Sequence, residues 1–257
     1  MGFTLNRAAS AASDASQAAS MAAKGARVQE SLSLYDYGLI GNQYTGALVS
    51  RDGSIDWACF PRFDSPSVFG RLLDRRAGGF HQIVPQGGYS SHQQYVTGTN
   101  ILSTLFELRR GLVLALTDFM PAGPSATTSG GEPRIIRRLI ARGGPIEVTM
   151  TSDPRFDYAR EQPEWATEGD LAIADAEYDR ISMTSPWPWV RTDHGVTSSG
   201  TVAPTAPLYA QVRWGDPPPP DPSPATMLSV TDAYWRGWVS SEDTPLRRVS
   251  ARWHPWV

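Results

Sequence analysis

The stretch from Ile40 to Phe69 constrains this chain more than any other. Ala47 to Ser50 is a short apolar run, and Asp52-Gly53 is a dipeptide that accepts positive φ at a tight turn. Ile55, Trp57 and Cys59 then alternate with Asp56 and Ala58. That pattern predicts a β-hairpin with one buried face carrying Ile55, Trp57 and Cys59, and it gives Asp56 the outward phase. The second strand stops at Pro61. Asp64-Ser65-Pro66 offers a capping side chain and a ring with preset φ, so a short helix is expected next, with Val68, Phe69, Leu72 and Leu73 on its buried side.

Further along, segments of period two recur between turn residues. Phe80 to Val84 lies between Gly78-Gly79 and Gly87-Gly88, and Ile101–Leu108 and Leu112–Phe119 flank Arg109-Arg110-Gly111. Ile135–Ala141 and Ile146–Thr151 read as another pair around Arg142-Gly143-Gly144-Pro145. Leu171–Ala174, Arg180–Thr184 and Leu208–Trp214 are further strand candidates. The expected fold is all-β, a large antiparallel β-sandwich with a short helix after the first hairpin and a helical tail. The tail starts near Ser229, with Thr231-Asp232 as its cap and Tyr234, Trp235 and Trp238 at helical spacing. Pro217–Pro220 and Pro222 make a rigid surface connector.

Composition removes several function classes. The formal charge is −3 and the pI about 5.8, with arginines scattered, which argues against nucleic acid or an anionic membrane as partner. Cys59 is the single cysteine, so no intramolecular disulfide can form, and a cytoplasmic, reducing location fits. Its expected place is a buried one in the second hairpin strand. His81, His92, His194 and His254 are far apart and show no metal-ligand spacing, and no phosphate loop, nucleophile elbow or dinucleotide fingerprint occurs. No metal and no cofactor is expected. Residues 1–33 read as a mobile Ala- and Ser-rich extension, with a transit peptide as the alternative.

The blocks Gly46–Trp57 and Pro61–Phe69 resemble the amino-terminal β-domain of bacterial glycoside hydrolase family 15, the glucoamylase, glucodextranase and trehalase-like enzymes. Thr99–Leu102, Thr117–Pro121, Pro154–Tyr158 and Tyr234–Trp238 follow in the order that family shows. The resemblance covers roughly residues 34 to 240. It implies a sandwich of the super-sandwich type over 34–228, with 229–257 as a truncated or divergent start of a linker. It also implies a non-catalytic role in an inverting α-glycosidase. The two catalytic glutamates of that family sit on a helical (α/α)6 barrel, and no residue of this sequence inherits either role, so the catalytic site residues are none. Hydrolysis needs two carboxyl groups facing across the sugar, about 6.5–9.5 Å apart for inversion. Asp56 and Asp64 are a poor pair, one at an outward strand position and one at a cap.

Under that resemblance the partners are the catalytic helical domain and an α-glucan or trehalose. Trp57, Arg62, Phe63 and Asp64 are the candidate pocket-lining residues, because aromatic faces stack on sugar rings while Arg and Asp bond their hydroxyls. Tyr234, Trp235 and Trp238 are the candidate interdomain seam. Trp187-Pro188-Trp189 is a further aromatic group, either a sugar platform or part of a seam. A stand-alone carbohydrate-binding or interaction module, or a degenerate gene fragment, stays open as the alternative function.

Overall fold

The computed structural model describes residues 32–123, 133–217 and 222–241. The extension up to residue 31, the Gly- and Ser-rich stretch 124–132, the proline connector at 218–221 and the segment after 241 lie outside the described residues. By contacts the chain divides into Met1–Tyr35 and Asp36–Val257, and the strands among the described residues belong to the second unit.

The period-two segments lie in two antiparallel sheets. The first runs β1 (Tyr37–Gly41), β2 (Gly46–Ser50), β3 (Ser54–Cys59), β5 (Phe80–Pro85), β10 (Ile146–Asp153), β15 (Val196–Val202) and β14 (Val190–Arg191), with β4 (Ser67–Phe69) beside β3. The second runs β11 (Glu164–Glu168), β12 (Leu171–Asp175), β13 (Arg180–Thr184), β16 (Leu208–Trp214), β9 (Arg134–Arg142), β8 (Val113–Phe119), β7 (Leu102–Leu108) and β6 (Tyr89–Tyr95). Val49, Ile55, Ile83, Val148 and Met150 of the first sheet and Phe106, Leu114, Leu116, Leu139 and Val212 of the second share one core, all fully buried. Each such side chain contributes about 1.5–3 kcal/mol on burial. Cys59 is buried as expected, and burial pushes its thiol pKa up, away from reactivity.

Three expectations are corrected. The segment after Pro66 is strand β4 and not a helix. The first half of β3 pairs with β5, which leaves its second half unpaired, and the extended backbone of Ser67–Phe69 satisfies that edge while burying all three side chains. Leu73, expected inside, is exposed. Next, β9 and β10 do not form a hairpin. The Arg142–Pro145 turn carries the chain from one sheet to the other, so both apolar faces meet the same core from opposite sides. Finally, the terminal helix α1 (Pro224–Ser240) begins earlier than Thr231. The Ser223 side chain accepts from the Thr226 N–H at 3.2 Å and Pro224 occupies the first turn, a stronger start signal than Thr231, which is buried mid-helix.

One polar assembly crosses the core. Arg137 of β9 and Asp118 of β8 are directly opposite and fully buried, with Nε to Oδ1 at 2.7 Å and Nη2 to Oδ2 at 3.0 Å. The same guanidinium donates across to the other sheet, to the His81 carbonyl at 3.1 Å and the Gly53 carbonyl at 2.9 Å. The β2–β3 turn is thereby tied to the facing sheet.

The His81 ring is fully buried near Phe69 and Trp189, at centroid distances of 6.4 and 6.5 Å. Neither ring nitrogen has a hydrogen-bond partner among the described residues. Burial, and then the Arg137 charge, hold its pKa well below the ordinary 6.5. The folded state thus keeps His81 neutral while the unfolded chain takes up a proton below about pH 6.5. The stability conferred by that neutrality is present above about pH 6.5 and is lost as pH falls towards the folded pKa, at up to about 1.4 kcal/mol per pH unit. Urea unfolding between pH 7 and 5 is expected to show this slope, and His81→Phe to be flatter by one proton. Equal slopes in the two proteins would remove His81 from the account.

Candidate functional site

The β2–β3 register decides where Trp57 points. Val49 pairs with Ile55 and Leu48 with Trp57, so Asp56 is an extra residue in a β-bulge. An added residue inverts the alternation, and Ile55 and Trp57 therefore face opposite sides of the sheet. Ile55 and Ala58 join the core, whereas Trp57 does not. This corrects the expectation of one buried face carrying Ile55, Trp57 and Cys59. Asp56 is corrected too: it is 1% exposed, accepting from the Tyr37 hydroxyl at 2.8 Å and the Ser54 hydroxyl at 2.5 Å, with Arg71 Nε at 3.0 Å. Burial and then that bond to Asp56 raise the Tyr37 pKa. Asp56 fastens the bulge through these contacts.

With Trp57 outward, the registers align Leu39, Leu48 and Trp57 in a row across β1, β2 and β3. Tyr158 lies against Trp57 at a ring distance of 6.3 Å. Phe63, 60% exposed, lies over Gly46, where an added Cβ would stand 3.1 Å from its ring, and its N–H donates to the Tyr44 carbonyl at 3.1 Å. Gly46 is two residues from Leu48 and shares its face. Trp57 and Phe63 are thus brought onto one surface. Arg62 and Asp64 stand exposed at the neighbouring turn in a bidentate pair of 2.9 and 2.8 Å, which lowers the Asp64 pKa and raises that of Arg62. Asp64 caps no helix. Ser65 Oγ closes the turn instead by accepting the Arg62 N–H at 3.1 Å.

Tyr158 is held by a turn that its sequence does not advertise. Asp157, Tyr158 and Ala159 all have left-handed φ, of 46°, 56° and 67°. For non-glycine residues that costs about 1–2 kcal/mol each. The conformation is imposed from its ends: Phe156 is fully buried and exchanges backbone bonds with Glu161 at 3.0 and 3.2 Å, and the Arg155 N–H donates to Val68 of β4 at 2.9 Å.

The outer face of β5, β10 and β15 is more polar, presenting Gln82, Thr149, Thr151, Thr197, Ser199 and Thr201 beside Phe80, Val84 and Glu147. One sheet therefore has an apolar outer half and a hydroxyl-bearing one.

The seam residues lie on α1. Met227, Thr231 and Trp235, four residues apart, are its buried positions, and Met227 packs with Phe119 and Ile136 of the second sheet and with Ile101 just before β7. Thr231 Oγ1 also accepts the Ala122 N–H at 3.2 Å. Trp235 is 8% exposed, while Tyr234 and Trp238 meet it edge-on from either side at 5.3 and 5.9 Å. Tyr234 closes a cleft of about 270 Å³ with Asn42–Tyr44 and Pro121–Gly123. Since Tyr44 also holds Phe63, the β1–β2 turn joins two groups that the sequence presents as separate. Trp187 and Trp189 turn to the core and form no platform.

The sequence pattern of the trehalase-like N-terminal family matches residues 27–216. The chain belongs to that family. The trehalase of Thermoplasma volcanium is 30% identical over 210 residues, covering 80% of this chain and 33% of that protein. The trehalase of Mycolicibacterium smegmatis is 28% identical over 245 residues, covering 86% and 35%, and trehalase 2 of Sulfolobus acidocaldarius is 43% identical over 123 residues, covering 48% and 19%. The chain spans about a third of the length of the first two relatives. Within this trehalase-like N-terminal domain, three of His, Cys, Asp and Glu do not gather as a metal site among the described residues. No described helix is long and apolar enough to cross a membrane.

Proposed function

We propose that this trehalase-like domain is the non-catalytic amino-terminal part of an inverting α-glycosidase of glycoside hydrolase family 15, acting in the cytoplasm on trehalose, with α-glucans as the second substrate class. Its outer surface from Tyr234 and Trp238 through Tyr44 and Phe63 to Trp57 and Tyr158 seats a helical catalytic domain that carries both catalytic acids. The observation that carries this reading is the division of one sheet face. Its β1–β3 half exposes Leu39 to 49% and is covered from neighbouring turns by Phe63 against Gly46 and Tyr158 against Trp57, themselves 60% and 49% exposed, while its other half is richer in hydroxyls. The names of the relatives support trehalose, and the burial of Asp56, which accepts from Tyr37 and Ser54, supports the absence of an acid pair at this corner.

The purified chain is expected to release no glucose from trehalose. It is also expected to associate with the separately produced remainder of the Thermoplasma volcanium trehalase, outside the matched third, in sedimentation velocity, with affinity lowered about tenfold or more by Trp57→Ser combined with Phe63→Ser. Glucose release by the chain alone would overturn the non-catalytic reading, and association untouched by the double substitution would overturn the docking face.

A further inference from the structure

Beside the left-handed turn, a cleft of about 560 Å³ opens at the ends of β5, β10 and β15, and apart from Arg155, which belongs to the family block Pro154–Tyr158, its lining lies outside the family blocks and the docking residues. Its size falls within the roughly 300–1,000 Å³ of small-ligand sites. In its wall Asp153 and Arg155 form an ion pair, Nη2 donating to Oδ2 at 3.0 Å and Nε standing 3.0 Å from Oδ1, which has no hydrogen-bond partner among the described residues, with side chains 16% and 13% exposed. Burial raises the Asp153 pKa against the pull of Arg155. The pair is locked from behind by Gly79, whose φ is +69° and where a Cβ would stand 2.5 Å from the Asp153 carbonyl and 2.8 Å from Arg155 Cγ. Phe80, Thr151, Gln162 and His194 complete the wall, and Ala159 of the strained turn borders it.

We propose that this cleft binds a neutral polyol, a glucose-type saccharide of one or two rings. Three features select that chemistry. The Asp153 carboxylate offsets the Arg155 charge, so the centre favours no anion, although Arg76 stands at the rim. A carboxylate–guanidinium pair still offers free lone pairs and N–H groups after its one internal hydrogen bond, Asp153 Oδ1 among them, an arrangement that can accept from one hydroxyl and donate to the next. Carboxamide, imidazole and hydroxyl groups from Gln162, His194 and Thr151 line the cleft with Phe80, whose ring carries the Arg71 guanidinium on one face at 4.1 Å and leaves its other face as an apolar surface for a pyranose. Pre-organisation is provided by the rigid strand ends and by the left-handed turn, whose strain is of the kind found at ligand sites.

The test is calorimetric titration of the whole chain with trehalose, maltose and inorganic phosphate. Expected is saturable binding of at least one disaccharide with Kd of about 1 mM or tighter, weakened about fivefold, the loss of one hydrogen bond, by either His194→Ala or Gln162→Ala. Both side chains are exposed, and unchanged unfolding midpoints will show that the fold is intact. Binding of neither disaccharide, binding unaltered in both variants, or binding of phosphate alone overturns the proposal. The titration reads the isolated chain, so its failure is distinguishable from failure of the docking face, which sedimentation with the remainder of the relative reports.

Discussion

Arg137→Met is expected to lower the stability of the domain by about 3–5 kcal/mol, the cost of leaving one member of a buried ion pair without the other. Asp118 lies at 0% exposure, and Arg137 supplies both of its close charged bonds. Methionine fills much of the volume but donates nothing. Of the two carbonyls that Arg137 also serves, that of Gly53 keeps the Ile83 N–H at 3.1 Å, so the loss is concentrated on Asp118. Against a typical total of about 5–15 kcal/mol this is a large fraction, and the unfolding midpoint should fall by about 6–20 °C. The double variant Arg137→Met/Asp118→Leu removes both charges and should recover most of the loss, because a dry isostere of a buried pair is often neutral or better. Urea denaturation of the two variants and the parent decides the matter. A single variant as stable as the parent, or a double variant no better than the single, would show that the pair does not tie the two sheets together.

Gly53→Ala is the second large effect, expected to cost about 2–5 kcal/mol. Gly53 has φ of +69°, and a Cβ there would overlap the Ile83 carbonyl and stand 2.9 Å from Phe106 Cζ. Left-handed backbone accounts for about 1–2 kcal/mol of the cost, and the forced displacement of packed neighbours for about 1–3 kcal/mol. The displacement also moves the carbonyl that receives Arg137, so the two perturbations act on one structure. Gly111→Ala is the internal control. Its φ is +73°, but nothing lies within 4 Å of the built Cβ, so only the backbone cost of about 1–2 kcal/mol remains. Equal destabilisation of the two variants in urea would mean that the packing around the β2–β3 turn is looser than these contacts require.

Much of the strand content was legible in period-two alternation, because a strand buried on one face must alternate wherever its register is held. The segments Leu102–Leu108, Val113–Phe119, Arg134–Arg142, Ile146–Asp153 and Leu208–Trp214 all lie where the alternation put them. The Asp52-Gly53 turn was equally legible, since its backbone demands a residue of that kind. Motif order carried the family, which neither alternation nor composition could reach.

What the local sequence could not carry was the pairing of strands and anything that depends on a partner distant in the chain. The Arg142–Pro145 turn reads like a hairpin but crosses between sheets, because its flanking strands find better edges on β8, β16, β5 and β15. The Asp56 bulge was invisible for the same reason: only the register with β2 reveals the extra residue that turns Trp57 outward and Asp56 inward. Ser67–Phe69 became a strand because β3 offered it an edge, and Asp157–Ala159 became left-handed because the buried Phe156 ring and its bonds to Glu161 fixed both ends. Sequence alone thus determined the class of fold, the family and the aromatic residues available for a surface. The tertiary structure decided which of them share that surface, since facing is set by register and register is a long-range choice.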